Sequence, residues 1–324
     1  MRYLFRRALQ AILLLWGVSI LTFIFSELAP GNYFDEMRLD PRISAETVAS
    51  LRGAYQLDRP LPVRYLHWLA SVLHGEMGFS FAYDSPVGAL LWARARNTLL
   101  LTATATALVW FIALPLGIWS TASRWRWPDR VVSWVTAGLL IVPELVLALG
   151  LLIFAVRSGW FPTGGLASSG SEVLAPLGRL RDTLWHMVLP VTALVLASLP
   201  VLLRHVRAAM REALDAPFMR AAEGFGIPRR RLVYRYALPA AVNPLLSLFG
   251  FSVGTLLSGS LLIEIVMSWP GLGPLLLEAI LARDVYVVIG GVLLSATFLV
   301  TGSFVADLLL YWADPRIRTD GSAL

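Results

Sequence analysis

Six apolar runs, each long enough to cross a bilayer, leave this chain few alternative folds. The hydrocarbon core of a bilayer is about 30 Å thick, so a spanning helix needs roughly 20 mostly apolar residues. Hydrophobic residues make up 57% of the 324-residue chain and charged residues only 15%, which excludes an ordinary soluble domain. The pattern therefore predicts an all-α integral membrane protein with six transmembrane helices. They are expected at residues 8–28, 99–119, 131–154, 186–203, 245–267 and 285–311.

The arginines indicate how these spans are oriented. Sixteen of the 27 basic residues, against seven acids, fall in residues 1–7, 120–130, 204–244 and 307–324. An even number of spans places these segments on one side, and Arg-rich loops favour the cytoplasm, so both termini are predicted to be cytoplasmic. The expected domains are the N-terminal tip with the first span (1–28), an extracytoplasmic helical insertion (29–97), a core membrane domain (98–312) with the cytoplasmic loop 204–244, and a cytoplasmic tail (313–324).

The polar stretch after the first span is expected to fold locally. The spacing of its apolar residues predicts one amphipathic helix within residues 44–55. A second helix is predicted to open at Pro62 and to place Leu66, Leu69 and Leu73 on one face. Both helices would pack beside the membrane rather than cross it.

Two missing residue types limit the chemistry of the chain. It has no Cys, which excludes disulfides, thiolate nucleophiles and Cys-bound zinc or iron–sulfur sites. All of its basic residues are Arg, so it contains neither a lysine-bearing phosphate loop nor a Schiff-base lysine. Its four His show no spacing typical of a metal site. The sequence thus predicts no catalytic residue, cofactor, metal or nucleic acid partner, and any ATP that drives the protein must bind another subunit.

A polar, basic stretch at residues 215–239 lies between the predicted fourth and fifth spans. Asp215 is predicted to cap a short helix that starts at Pro217. Gly224 and Gly226 can both end that helix, Gly226 by taking a left-handed conformation, and Arg229 is predicted to start the next one. Apolar residues at positions i, i+3, i+4 and i+7 form one face of the short helix: Phe218, Ala221, Ala222 and Phe225. Periodicity alone fits both a helix on lipid headgroups and a helix in a groove of another protein.

The spacing within this stretch resembles a known docking loop. Permeases of ABC importers dock on their ATPases through a cytoplasmic loop with the pattern Glu-Ala-Ala, three residues, Gly, nine residues, Ile, one residue, Leu-Pro. In this chain Arg220 replaces the Glu and Tyr236 replaces the Ile, while the Ala pair, the Gly and the Leu-Pro match. The resemblance implies that a set of residues couples the chain to an ATPase: Phe218, Arg220, Ala221, Ala222, Phe225, Gly226, Leu238 and Pro239.

The resemblance covers nearly the whole chain. It is similar to the dipeptide, oligopeptide and nickel branch of these permeases in RYLFRRALQAILLLWGVSILTFIFSELAPGN, LDRPLPVRYLHWL, GEMGFS, VMSWPGLGPLLLEAILARDVYVV and WADPRIR. This implies the type I ABC importer permease fold in a bacterial or archaeal inner membrane. The implied partners are a second homologous permease forming a heterodimer, two cytoplasmic ATP-binding subunits, an extracytoplasmic solute-binding protein and membrane lipid. The implied cargo is a small peptide, a metal chelate or a related solute.

The segment before the last span has its own physical interpretation. Its Pro-Gly-Leu-Gly turn at residues 270–273 is followed by an apolar run. A turn of this kind favours a short re-entrant or interfacial helix over residues 275–282.

Two carboxylates at membrane depth are candidates for a translocation path. Glu144 follows Pro143 in the third span, and Glu264 lies near the outer end of the fifth. An ionised carboxylate near the centre of a span costs about 2.5 to 3.5 kcal/mol on insertion scales, so such residues usually face a cavity or a partner. Either they line the path and contact a peptide amine, or they serve packing. In the second case Glu144 caps the half-helix after Pro143 and Glu264 bonds a neighbouring helix or subunit.

Two other classes of protein compete with the importer interpretation. A secondary transporter driven by an ion gradient would need inverted repeats with broken helices, and no such repeat is evident in the sequence. An intramembrane hydrolase would need Ser and His or paired Asp on facing spans. His186 and His205 lie at the ends of predicted spans, and paired acids within the spans are missing.

Overall fold

The structure is a computed structural model of the chain and describes residues 2–28, 44, 46, 59–80 and 82–313. Its regular elements in this part of the chain are helices and one two-stranded antiparallel hairpin. The helices are α1 (Arg2–Leu28), α2 (Leu61–Leu73), α3 (Val87–Ala122), α4 (Arg126–Ile141), α5 (Glu144–Ser158), α6 (Pro176–Asp215), α7 (Pro217–Gly224), α8 (Arg229–Leu232), α9 (Leu238–Val266), α10 (Leu272–Leu281) and α11 (Val285–Ala313). A 3₁₀ turn (Ser171–Val173) precedes α6, a π-helical turn (Val233–Ala237) joins α8 to α9, and the hairpin strands are β1 (Phe79–Ser80) and β2 (Ser85–Pro86).

The predicted set of spans is confirmed, with one change. Five described helical segments are long and apolar enough to cross a membrane, and the pair α4 and α5 makes a sixth if it is counted as one span. The five lie within Phe5–Ser26, Val87–Ala122, Pro176–Asp215, Arg229–Gly254 and Val285–Trp312. The short helix expected at residues 275–282 is also present as α10, which starts three residues earlier.

The third predicted span is not one helix. The axes of α4 and α5 meet at 92°, with the break at Val142 and Pro143. Pro143 lacks the N–H that a continuous helix needs, and it holds the preceding Val142 in an extended conformation with ψ 118°. The expected half-helix after the proline therefore begins at Glu144. Three other prolines, Pro115 in α3 and Pro190 and Pro200 in α6, lie inside helices that continue past them.

The chain divides into two compact units. The larger contains residues 2–6, 99–269 and the described residues from 299 onward. Its centre is α6, whose 40 residues correspond to about 60 Å of helix and exceed the thickness of the apolar core. This helix packs against α4, α5 and α9. It also approaches α3 closely, because a Cβ added at Gly117 would lie 2.5 Å from Cγ1 of Val206.

The smaller unit contains the described parts of residues 7–98 together with residues 270–298. Its core joins Phe23 of α1, Trp68 of α2 and Ile289 of α11. The second helix predicted in the insertion is present as α2, with Trp68 buried and Leu66 and Leu73 exposed. A helical period fits more than one face, and the aromatic residues decide which is buried. The first predicted helix, at residues 44–55, lies outside the described residues apart from residues 44 and 46.

A buried carboxylate ties the hairpin to the start of α11. Asp284 accepts hydrogen bonds from Ser80 Oγ at 2.6 Å and from the Ala82 N–H at 3.3 Å. Its other oxygen accepts from the Val287 N–H at 3.4 Å and so caps the first turn of α11. Beside it Tyr83 donates to Glu278, and burial together with this bond raises the pKa of Tyr83 to about 12. The phenol therefore remains a donor at neutral pH.

Candidate functional site

The stretch 215–239 folds as a short helix with two different sides. α7 begins at Pro217 as predicted, but Asp215 is not its cap, because α6 continues through that residue. The N-cap is Ala216, which the following proline holds in an extended conformation with ψ 146°. Met219 and Ala222 point inward and belong to the same apolar core as α6. Phe218, Ala221 and Phe225 are exposed and form what we call the α7 outer face.

The predicted four-residue apolar face is therefore corrected to three residues. Ala222 is only 8% exposed and packs inside the chain, whereas Phe225 is 86% exposed. The helical period assigned Ala222 to the same stripe as the two Phe rings. The inward side is instead set by Met219, which lies three residues before Ala222 and outside the predicted face. A large buried side chain at that spacing is the signal that identifies the inner side.

Gly226 ends α7 in the predicted left-handed conformation, with φ 74°. The Gly226 N–H donates to the Glu223 carbonyl at 2.9 Å, and the Ile227 N–H donates to the Ala222 carbonyl at 3.4 Å. These are the two hydrogen bonds of a Schellman motif, with Gly226 at the residue after the cap. Ile227 then packs against the core. The turn directs the chain through Pro228 into α8 at Arg229, as predicted.

Gly226→Ala is expected to lower the free energy of local unfolding at the end of α7 by about 1 kcal/mol, because a Cβ disfavours the left-handed conformation. The cost is conformational and not steric, since no atom lies within 4 Å of the added Cβ. Tryptic cleavage after Arg220 should become about fivefold faster, since local opening exposes that bond. Gly226→Asn should cleave nearly as slowly as the native chain, because Asn tolerates this conformation. Gly224→Ala, at a helical position with no positive φ, is the matched control. Equal cleavage rates for the Ala and Asn variants at position 226 would contradict this account.

Leu238 and Pro239 lie where the π-helical turn ends. The Leu238 N–H donates to the Val233 carbonyl five residues earlier, which is the π pattern. Pro239 has no N–H to offer to the preceding turn, so an uninterrupted α-helix would leave a carbonyl unpaired there. Leu238 packs on the core while Pro239 is exposed. This pair therefore shapes the entrance to α9.

Polar contacts tie the elements around α7 to the ends of other helices. The Arg229 guanidinium donates through Nε to the Ala122 carbonyl at the end of α3, at 3.0 Å. Asp129, in the first turn of α4, accepts from both Arg207 and Arg211 of α6. Arg207 is buried and also donates to Ser133 Oγ at 2.7 Å. The C-terminal part of α6, α8 and the ends of α3 and α4 thus form one connected platform beneath α7.

Exposed charged side chains adjoin the α7 outer face along the chain. Exposed basic residues outnumber the three exposed acids in this part of the chain. They are Arg220, Arg229, Arg230, Arg231, Arg235, Glu212, Asp215 and Glu223. An apolar centre with a charged rim is the usual composition of a protein interface.

A cavity of about 240 Å³ lies among the spans of the larger unit. Its walls come from α3, α5, α6 and α9 and are mainly apolar. Glu144 enters it from the first turn of α5, while Glu264 does not line it and is fully buried within its unit. The two carboxylates singled out from the sequence therefore have different surroundings.

The sequence matches a family of transport proteins over most of its length. Residues 113–319 match the family described as binding-protein-dependent transport system inner membrane component. Residues 1–102 match the N-terminal model for binding-protein-dependent transport system membrane components. The chain belongs to this family. It is a multi-pass inner-membrane transport permease of a binding-protein-dependent ABC importer, in which separate ATPase subunits hydrolyse ATP.

Relatives align with the chain from end to end. The oligopeptide transport system permease protein AppB of Bacillus subtilis is 32% identical over 98% of this chain and 99% of its own length. The glutathione transport system permease protein GsiC of Salmonella choleraesuis is 32% identical with the same coverage. The dipeptide transport system permease protein DppB of Escherichia coli K12 is 31% identical, again with the same coverage.

A solved structure supports the fold. A chain from the inward-facing conformations of the MetNI methionine ABC transporter matches with a TM-score of 0.50 and 18% identity, over 69% of this chain and 96% of that chain. The expected type I ABC importer permease fold is confirmed. The family match sets aside the secondary transporter and the hydrolase, and it implies ATPase and solute-binding partners.

Proposed function

We propose that this permease imports small peptides and that its ATPase partner binds the α7 outer face. The observation that carries the coupling role is the position of two exposed aromatic rings, Phe218 and Phe225, on a helix whose opposite side is locked into the core. Exposed aromatic pairs with a charged rim are typical anchors for a partner's pocket. A helix lying on lipid would need no such rigid attachment. Because α7 is fixed to the core on one side and exposes aromatic rings on the other, a protein groove is the favoured partner of its exposed side.

The contacts beneath α7 support a route by which ATPase movement reaches the spans. Met219 and Ala222 fix α7 to α6, and Arg229 fixes α8 to the end of α3. Asp129 joins α6 to α4 through two guanidinium groups. A displacement of α7 therefore moves the ends of several spans together. Such rigid-body movement is what alternation between inward-facing and outward-facing packing requires.

The cargo is proposed to be a short peptide. The relatives named above are oligopeptide, glutathione and dipeptide permeases, and each aligns over its whole length. We assign Glu144 to the translocation path because it lines the central cavity. Glu264 is assigned to packing, because it is fully buried near the end of α9.

The proposed function is tested by reconstituting the chain with a second homologous permease as heterodimer partner, two ATPase subunits and the solute-binding protein in lipid vesicles. Labelled dipeptide should accumulate only when ATP and every subunit are present. The chain purified alone should show no ATP turnover, since it lacks a phosphate-binding loop. ATP turnover by the isolated chain equal to that of the complex would contradict the proposal.

The orientation is also proposed, with both termini and residues 204–244 in the cytoplasm. The native chain has no Cys, so a single introduced thiol can be labelled without background from this chain. In intact cells, Ala82→Cys in the hairpin turn should react with a membrane-impermeant maleimide, whereas Arg124→Cys between α3 and α4 should not. Both positions are exposed in the structure. The opposite labelling pattern would reverse the assigned orientation.

A further inference from the structure

The central cavity contains a buried polar atom that has no hydrogen-bond partner among the described residues. Oε1 of Glu144 is buried and accepts no hydrogen bond from the described residues. Two of the neighbouring polar groups are engaged: Ser252 Oγ accepts from Trp110 Nε1 at 2.9 Å, and His205 Nδ1 contacts the Val201 carbonyl at 2.8 Å. The carboxylate is thus the part of this cavity most in need of a donor.

A glycine of α9, Gly259, leaves the space that the Glu144 carboxylate occupies. A Cβ at Gly259 would lie 3.2 Å from Oε1 and 3.4 Å from Oε2 of Glu144. Since Gly259 has no side chain, the carboxylate can lie against the helix backbone. Around it the cavity wall is apolar, with Val109 from α3, Leu194 from α6 and Leu256 from α9.

The chemistry of the cavity favours an organic cation as the missing partner. No ion pair to Glu144 is formed within the part of the chain that the structure describes. A single carboxylate does not make a divalent cation site, which needs several oxygen ligands, and no group of three potential metal ligands occurs among the described residues. An ammonium group offers three donors to one carboxylate. The cavity has room for about eight water volumes, enough for such a group with a small body attached.

We propose that Glu144, lying over Gly259 in the central cavity, is a subsite for the protonated primary amino group of the cargo. The permease would then select solutes with a free ammonium by itself, in addition to any selection by the solute-binding protein. This inference rests on the proposed transport function and specifies the cargo group that the path recognises. Gly259 is a positioning residue, because it acts only through the place of the carboxylate.

The test uses Ser198→Cys, on the cavity wall, in the otherwise Cys-free full chain within its complex. The rate of alkylation by N-ethylmaleimide is measured with increasing dialanine and with N-acetyl-dialanine, which has no ammonium. Dialanine should slow labelling, and N-acetyl-dialanine should not. In Glu144→Gln the dialanine concentration for half protection should rise by about tenfold, because a charge-assisted hydrogen bond is lost. Gly259→Ala should raise it too, by displacing the carboxylate.

Several outcomes would overturn this subsite. The first is that N-acetyl-dialanine slows alkylation as much as dialanine does. The second is that dialanine protects the thiol equally well in both Glu144→Gln and Gly259→Ala. The third is that the thiol at position 198 never reacts, because water does not reach the cavity. Uptake of dialanine by the same complex is measured in parallel. Protection without uptake would contradict the proposed transport function alone, and uptake without protection would contradict the subsite alone.

Discussion

Phe225→Asp is expected to abolish ATP-driven uptake while the chain remains folded in the membrane. The ring is 86% exposed and contributes little to the chain's own core, so its removal should leave the spans intact. In the proposed complex the same position is buried in an ATPase groove, where an unpaired carboxylate costs several kcal/mol. A loss of about 3 kcal/mol corresponds to more than a hundredfold weaker association. Phe218→Asp should have the same effect.

The measurement is recovery of the ATPase subunits with the tagged chain, together with initial uptake rate. Phe225→Leu keeps an apolar contact and should retain most of both, and Glu212→Ala, exposed on α6 outside the face, should be mild. Ala222→Asp is unsuitable for this test, because it places a carboxylate in the chain's own core. Normal uptake by Phe225→Asp would mean that the α7 outer face lies on lipid.

Asp129→Ala is expected to give the largest loss of stability. It leaves the buried Arg207 guanidinium without its charged partner, and breaking such a pair costs about 3 to 5 kcal/mol. The lower value applies here, because the Asp129 side chain is itself 36% exposed and Arg207 keeps its bond to Ser133. The midpoint of thermal unfolding in detergent should fall by roughly 6 to 10 °C.

Two further variants separate the buried pair from the exposed one. Arg211→Ala removes the outer guanidinium, which is about half exposed, and should cost no more than about 1 kcal/mol. The double variant Asp129→Ala with Arg207→Leu removes the buried guanidinium together with its partner and should recover much of the loss, as replacing such an ion pair by apolar residues often does. If Arg211→Ala were as destabilising as Asp129→Ala, the buried pair would not be the source of the stability.

The sequence predicts the spans, α10 and the α7 turn because each depends on local signals. Hydropathy length identifies the spans, and the glycine at position 226 marks the left-handed turn that the structure contains. The sequence does not predict the 92° angle between α4 and α5, because a proline within a span is compatible with both a gentle kink and a full break. On either side of this bend, α4 and α5 both pack on α6.

The buried helix faces and the non-local contacts depend on which helices pack together, and the sequence pattern does not specify this. Helical period alone does not identify the buried sides of α2 and α7, which are defined by one large residue each, Trp68 and Met219. The contact of Asp129 with Arg207 joins residues 78 positions apart, and that of Glu144 with Gly259 is also non-local. No local pattern encodes such pairs, so they emerge only from the packed helices.

The most direct test of the central claim is photo-crosslinking from the α7 outer face in the native membrane. A benzophenone amino acid replaces Phe225, and the same replacement at Phe111, an exposed position of α3 within a candidate span, is the control. We predict that irradiation joins the chain to an ATP-binding subunit from position 225 and to lipid from position 111. Lipid adducts from both positions, with no ATP-binding subunit captured, would contradict the proposal that this helix couples the permease to its ATPase.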